Sequence, residues 1–123
     1  MYFQNEIAPL VKKLTAKEQP VFVCRREEDP AEKRSALIRE IGYDRVHITF
    51  PETKGPTEIG IRLVRDLCGT LTLGDTTEDD PENLLLVGDI NLDGSDIRVS
   101  ATISLKDFTG TANVVLREKD EVS

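Results

Sequence analysis

Seven consecutive residues, Asp89-Ile90-Asn91-Leu92-Asp93-Gly94-Ser95, hold the densest set of oxygen ligands at regular spacing in this sequence. A hard cation such as calcium takes oxygens from alternate positions, and a glycine lets the chain turn sharply around it. Asp89, Asn91 and Asp93 are therefore candidate metal ligands of a calcium-stabilised module. The set is incomplete. A closing carboxylate belongs at position 12, which here is Ser100, and the usually apolar position 8 is Asp96. Asp-Gly between alternating apolar runs is more economically a hairpin turn.

Other reactive side chains are sparse. The one histidine, His47, alternates with Val46, Ile48 and Phe50 and is expected to face solvent or a helix. With neither a second histidine nor a cysteine at ligand spacing, a zinc site is not expected. Nor is a Ser-His-Asp or Cys-His system, since no nucleophile-elbow sequence is present. Cys24 ends an apolar segment just before a helix start, where a helix N-terminus would lower a thiol's pKa. The loop that follows, Arg25 to Asp29, carries three acids and no glycine, so a structural thiol is the expectation for Cys24 and also for Cys68. No glycine-rich nucleotide motif occurs, and no cofactor is expected. Residues 74–82 carry five carboxylates in nine positions, a solvated loop whose Asp75, Asp79 and Asp80 would serve a metal-dependent enzyme as a third reading. The DxNxDG run itself looks like the calcium loop of EF-hands and, more closely, of cellulosomal dockerins.

Period-two patterning dominates the elements that must position these groups. Ile97, Val99, Ala101, Ile103 and Leu105 alternate with Arg98, Ser100, Thr102 and Ser104, and Ala112, Val114 and Leu116 alternate with Thr111 and Asn113. With residues 84–92 before them, these segments predict a three-strand antiparallel meander, its short connections at 93–95 and 106–110. Its polar face, Arg98, Ser100, Thr102, Ser104, Thr111 and Asn113, is the candidate binding surface, with an open edge strand for β-augmentation. Short strands are expected near residues 59–63 and 71–73.

Upstream, Ile7, Leu10, Val11 and Leu14 form one helical stripe over residues 5–17, with Asn5 as cap and Pro9 in the first turn. Asp29-Pro30-Ala31-Glu32 opens a second helix over about 30–41, with Leu37, Ile38 and Ile41 buried and Gly42 at the C-cap. It lies between strands at 20–26 and 45–50. That spacing fits either a βαβ unit with parallel neighbouring strands or a helix inserted over the end of a sandwich whose sheets hold one strand each.

The totals bound the function. A chain of 123 residues supports one domain with its own core, here a segment of helix plus strand-helix-strand over 1–50 and a β-rich part over 57–118. Net charge is −7, divided as +1 over residues 1–50 and −8 over 51–123, and the only basic runs are short. Phosphate backbones and anionic membranes need clustered Lys and Arg, so neither nucleic acid nor membrane is an expected partner. The N-terminal residues lack the charge and apolar blocks of a secretory signal, and Met1–Gln4 resemble the end of a protease-cleavage tag. Cytoplasmic localisation is the expectation.

Three stretches, TEIGIRLVRD at 57–66, NLLLVGDINLDG at 83–94 and IRVSATISLKDFTGTANVVLRE at 97–118, together resemble the β-sandwich peptide-binding subdomain of the seventy-kilodalton heat-shock chaperones. The proline-rich connection after the "LxG" strand of that family is missing here, and the segment 21–50 has no counterpart in it. The resemblance implies a sandwich that binds extended peptides. The combined expectation is a single α+β domain, a mostly antiparallel sheet or sandwich with two helices. Its expected function is that of a non-catalytic protein- or peptide-interaction module, one part of a larger assembly.

Overall fold

Alternating apolar residues in six segments produce six strands, and the strands close on themselves. A computed structural model of the chain describes residues 9–53, 55–69, 71, 73 and 80–117. In order these form α1 (Pro9–Ala16), β1 (Gln19–Val23), α2 (Pro30–Gly42), β2 (Arg45–Phe50), β3 (Thr57–Leu63), a 3-10 turn (Arg65–Leu67), β4 (Asn83–Leu92), β5 (Ser95–Ser104) and β6 (Thr109–Leu116). Each strand pairs antiparallel with the next, and β6 pairs antiparallel with β1 from Gln19↔Ala112 to Phe22↔Thr109. The result is a closed barrel.

Closure corrects the expected fold class. The C-terminal meander β4-β5-β6 forms as its alternation predicts, but it belongs to a barrel rather than to an open sheet or a sandwich. Both readings of the strand-helix-strand segment are also replaced. β1 and β2 are neither parallel neighbours nor strands of separate sheets; they are antiparallel neighbours, Phe22↔Thr49 and Val23↔Ile48. An antiparallel pair needs no crossover, so α2 is an excursion that leaves and rejoins the barrel at the same end. An open edge for β-augmentation disappears with closure, because a barrel has no edge strand.

The barrel interior is apolar. Ile97, Val99, Ala101 and Ile103 of β5, with Val46, Ile48 and Phe50 of β2 and Ile61 of β3, are all inaccessible to solvent. Leu116, expected inside, is 42% exposed: it is the last residue of β6, although its partner Ile97 is buried. Leu71 and Leu73 pack against the core without forming a strand. Gly110 marks the tightest corner: a Cβ there would stand 1.8 Å from the Thr102 carbonyl oxygen. Only glycine fits where the β6 backbone approaches β5 this closely.

The helices are placed by their apolar edges. Val11 and Leu14 of α1 are fully buried, so this helix packs on its own domain, whereas the expected Asn5 and Ile7 lie outside the described residues. In α2 the Asp29 side chain accepts from the Ala31 N–H at 3.1 Å, as the capping pattern predicts. Leu37 and Ile41 are buried together with Ala36, but Ile38 is 42% exposed. The left-handed residue that ends the helix is Asp44 (φ 60), not the expected Gly42. Pairing in β1 stops at Val23, and the His47 N–H that it leaves uncovered donates to Glu40 Oε1 of α2 at 2.9 Å.

Candidate functional site

A two-residue turn sets the geometry around Asp89. Asp93 and Gly94 both have positive φ (51 and 87), which is the type I′ turn whose twist suits a hairpin. It locks β4 and β5 in register over ten pairs, including Asp89↔Arg98 and Asn91↔Asp96. Asp89 and Asn91 therefore lie along one strand rather than around a cation. Each is also engaged: Asp89 accepts two hydrogen bonds from Arg98 (2.7 and 2.9 Å) and an ion pair from Arg117 (3.3 Å), while Asn91 donates to Asp96 at 2.9 Å. The fork-to-fork hydrogen bonds from Arg98, then the charges of Arg98 and Arg117, hold the Asp89 carboxyl below its ordinary value. Among the described residues, no group of three or more His, Cys, Asp or Glu is arranged to hold a metal.

Register extends this pair into a row of charge across four strands. On the outer wall, Arg45 of β2 stands opposite Arg62 of β3, Arg62 opposite Asp89 of β4, and Asp89 opposite Arg98 of β5. Arg117, just beyond β6, completes a set of four guanidiniums. Neither Arg45 nor Arg62 has an ion-pair partner among the described residues. Asp89, the natural acceptor for Arg62, is taken by Arg98 and Arg117. A shallow groove of about 280 Å³ runs along this row, and Gly60, which has no side chain, forms part of its lining. Arg45 and Arg62 escaped the sequence reading. Alternation alone puts both side chains outward, but only the β2–β3 register brings them together.

The expected polar face is continuous with that row. Ser100 is opposite Asn113 and Thr102 opposite Thr111, all on the outside of β5 and β6. Two of the six expected residues have local duties: Ser104 Oγ accepts from the Lys106 N–H at 3.2 Å, and Asn113 donates to Glu18 at 3.5 Å. Arg98 is held by Asp89. The hydroxyls of Ser100, Thr102 and Thr111 make no side-chain hydrogen bond among the described residues.

Two further cavities hold titratable groups. One of about 170 Å³ is lined by Cys24, Arg39, Glu40, His47 and Glu58 among others. Cys24 is a left-handed residue (φ 60), buried, and its thiol donates to the Lys33 carbonyl at 3.1 Å. Burial, reinforced by Glu40 and Glu27, pushes that thiol up to about 12, so it is protonated at neutral pH and poorly nucleophilic. The His47 imidazole lies 3.5 Å from Glu40. The other cavity, about 370 Å³ and mainly apolar, lies between the start of α2 and the β5–β6 turn and contains Asp80, hydrogen-bonded twice by Arg34 at 2.7 and 2.8 Å. Asp80 and His47 thus occupy separate cavities. Asp75 and Asp79 lie outside the described residues.

No family model matches the chain, and no curated protein matches it.

Proposed function

We propose that this domain is a non-catalytic protein- or peptide-interaction module whose binding surface is the outer wall of the barrel from β2 to β6. One contrast carries this reading. The groups that could do chemistry are engaged internally, whereas the guanidiniums of Arg45 and Arg62 and the hydroxyls of Ser100, Thr102 and Thr111 face outward with their hydrogen-bonding capacity unspent among the described residues. Asp89 is held by two arginines, Asp80 by Arg34, and the Cys24 thiol by a carbonyl. A packed interior directs binding to the outside, and a rigid sheet presents its side chains at fixed spacing. The Asp89 ion pairs and the hairpin geometry give the calcium-stabilised reading less support, and the Arg34–Asp80 pair does the same for an acidic-loop enzyme.

We place the module in the cytoplasm. Both cysteines are free, which suits a reducing compartment. Among the described residues no helix is long and apolar enough to cross a membrane. The wall's polar residues and the apolar interior are also the reverse of a lipid-facing barrel.

The test is a selection of random twelve-residue peptides on the immobilised chain, followed by amide chemical-shift mapping with the strongest binder. Shifts concentrated on β2–β6 outer positions, Thr102 and Thr111 included, are expected. Failure to select any peptide, or shifts centred on Cys24 and Arg39, would refute the reading. Equal binding of any permanently unfolded, carboxymethylated protein would instead favour the chaperone-like function that the heat-shock resemblance implies.

A further inference from the structure

Building on the interaction reading above, we propose that the partner segment is acidic and that one of its carboxylates seats between Arg45 and Arg62. Like charges directly opposite on neighbouring strands destabilise a sheet. Arg45 and Arg62 are such a pair. The one carboxylate aligned with them, Asp89, is fixed by two short hydrogen bonds from Arg98 on its far side and by Arg117. Asp96 accepts from Asn91. Four guanidiniums and two carboxylates leave this part of the wall with a formal charge of +2, on a chain whose total is −7. A local positive site on an acidic protein attracts anions at short range while the rest of the surface repels them, which favours a defined contact over general polyanion binding.

Ligand geometry follows from the residue type. Guanidiniums present planar forks that match a carboxylate's two oxygens. The space over Gly60 is filled by the His47 imidazole, 3.0 Å from where a Cβ would stand, so an incoming carboxylate meets the Arg45–Arg62 pair from the solvent side of the groove. A monoanionic carboxylate suits this site better than a phosphate dianion, which would bring two charges close to Asp89 and Asp96. The neighbouring hydroxyls of Ser100, Thr102 and Thr111 then serve the rest of the peptide.

Peptides selected from the random library are predicted to be enriched in Asp and Glu at one or more positions. Arg45→Gln and Arg62→Gln should each weaken the best of them by about tenfold or more, the loss of one charge-assisted hydrogen-bonding partner. Lys12→Gln with Lys13→Gln removes two exposed charges from α1 and should leave affinity within about twofold. Thermal unfolding controls for folding, and relief of the like-charge pair predicts no loss of stability in either arginine variant. Replacing the key Glu by Gln should abolish binding, and replacing it by phosphoserine should weaken it. Selected peptides without acidic enrichment, arginine variants of unchanged affinity, or a lysine variant equally impaired would overturn the carboxylate site while leaving the interaction module intact. Tighter binding of the phosphoserine peptide would overturn the choice of a carboxylate. If no peptide is selected at all, the module and the site fail together.

Discussion

Replacing Asp89 by Asn should lower stability and raise affinity for an acidic peptide, two effects of opposite sign from one atom pair. The carboxylate accepts from Arg98 at 2.7 and 2.9 Å and pairs with Arg117 at 3.3 Å, with side chains 22% and 29% exposed for Asp89 and Arg98. That partial exposure puts the pair between a screened surface bridge, at most about 1 kcal/mol, and a buried charge-assisted bond of about 1.5–3 kcal/mol. The expected loss is ~1–2 kcal/mol at pH 7, about 4–8 °C in Tm for a domain near this size. The pH dependence has a definite sign. Because the folded-state pKa of Asp89 is depressed, its contribution is complete above the ordinary value of 3.8 and disappears as pH falls through the lower folded value. Urea unfolding of both proteins should therefore give a constant stability difference from pH 7 to about pH 4.5 and a shrinking one below. Losing the negative charge also raises the groove by one unit, which should strengthen acidic-peptide binding by about three- to fivefold at low salt. Equal stability at pH 7, a difference that grows on acidification, or weaker peptide binding would refute this account of the row.

Gly110→Ala should be among the most damaging single substitutions, because its Cβ would overlap the backbone oxygen of Thr102 and cannot be relieved by moving a flexible side chain. A loss above about 3 kcal/mol, or failure to accumulate as folded protein, is expected from circular dichroism and solubility; a folded variant with wild-type Tm would mean that the β5–β6 corner is looser than described. Cys24, with its thiol pushed up to about 12 against an ordinary 9.0, should react with iodoacetamide at pH 8 about a thousandfold more slowly than an unperturbed thiol. Mass mapping of the alkylated cysteine over time tests this, and rapid labelling of Cys24 in the folded protein would contradict its burial.

Local signals in this chain are written in local patterns, and those could be read. The alternation from Ile97 to Ile103 predicts a strand with one buried face, and Asp29-Pro30 predicts a capped helix start; both are found. Asp93-Gly94 predicts a tight turn for the same reason, since its backbone angles depend on two residues alone. Closure has no such signature. Pairing β1 with β6 joins Gln19 to Ala112, and nothing near either residue announces the other. The same gap explains the candidate site. Arg98 was legible because it belongs to the alternating β5 pattern, whereas Arg45 and Arg62 became a pair only through register, which depends on the turn between them and on the strands beyond. Ile38 and Leu116 failed for a related reason: helical and strand periodicity assign a face, but where an element ends relative to the core decides whether that face is covered.

The β1–β6 seam also orders the assembly of the molecule in time. The β4–β5 hairpin closes across two turn residues, whereas Gln19↔Ala112 must be brought together across the intervening four strands. Loop-closure entropy rises with the logarithm of that separation, so the hairpin is the cheapest pairing to form and the seam the costliest. A folding chain can hold the β4–β5 hairpin early, but β1 lacks its second neighbour until β6 reaches it. Until then β1, which carries Val21 and Val23, has one unpaired side, the kind of segment that associates with other chains. Deep interior placement of these valines in the finished barrel thus also serves to withdraw, last of all, the stretch most able to cause aggregation.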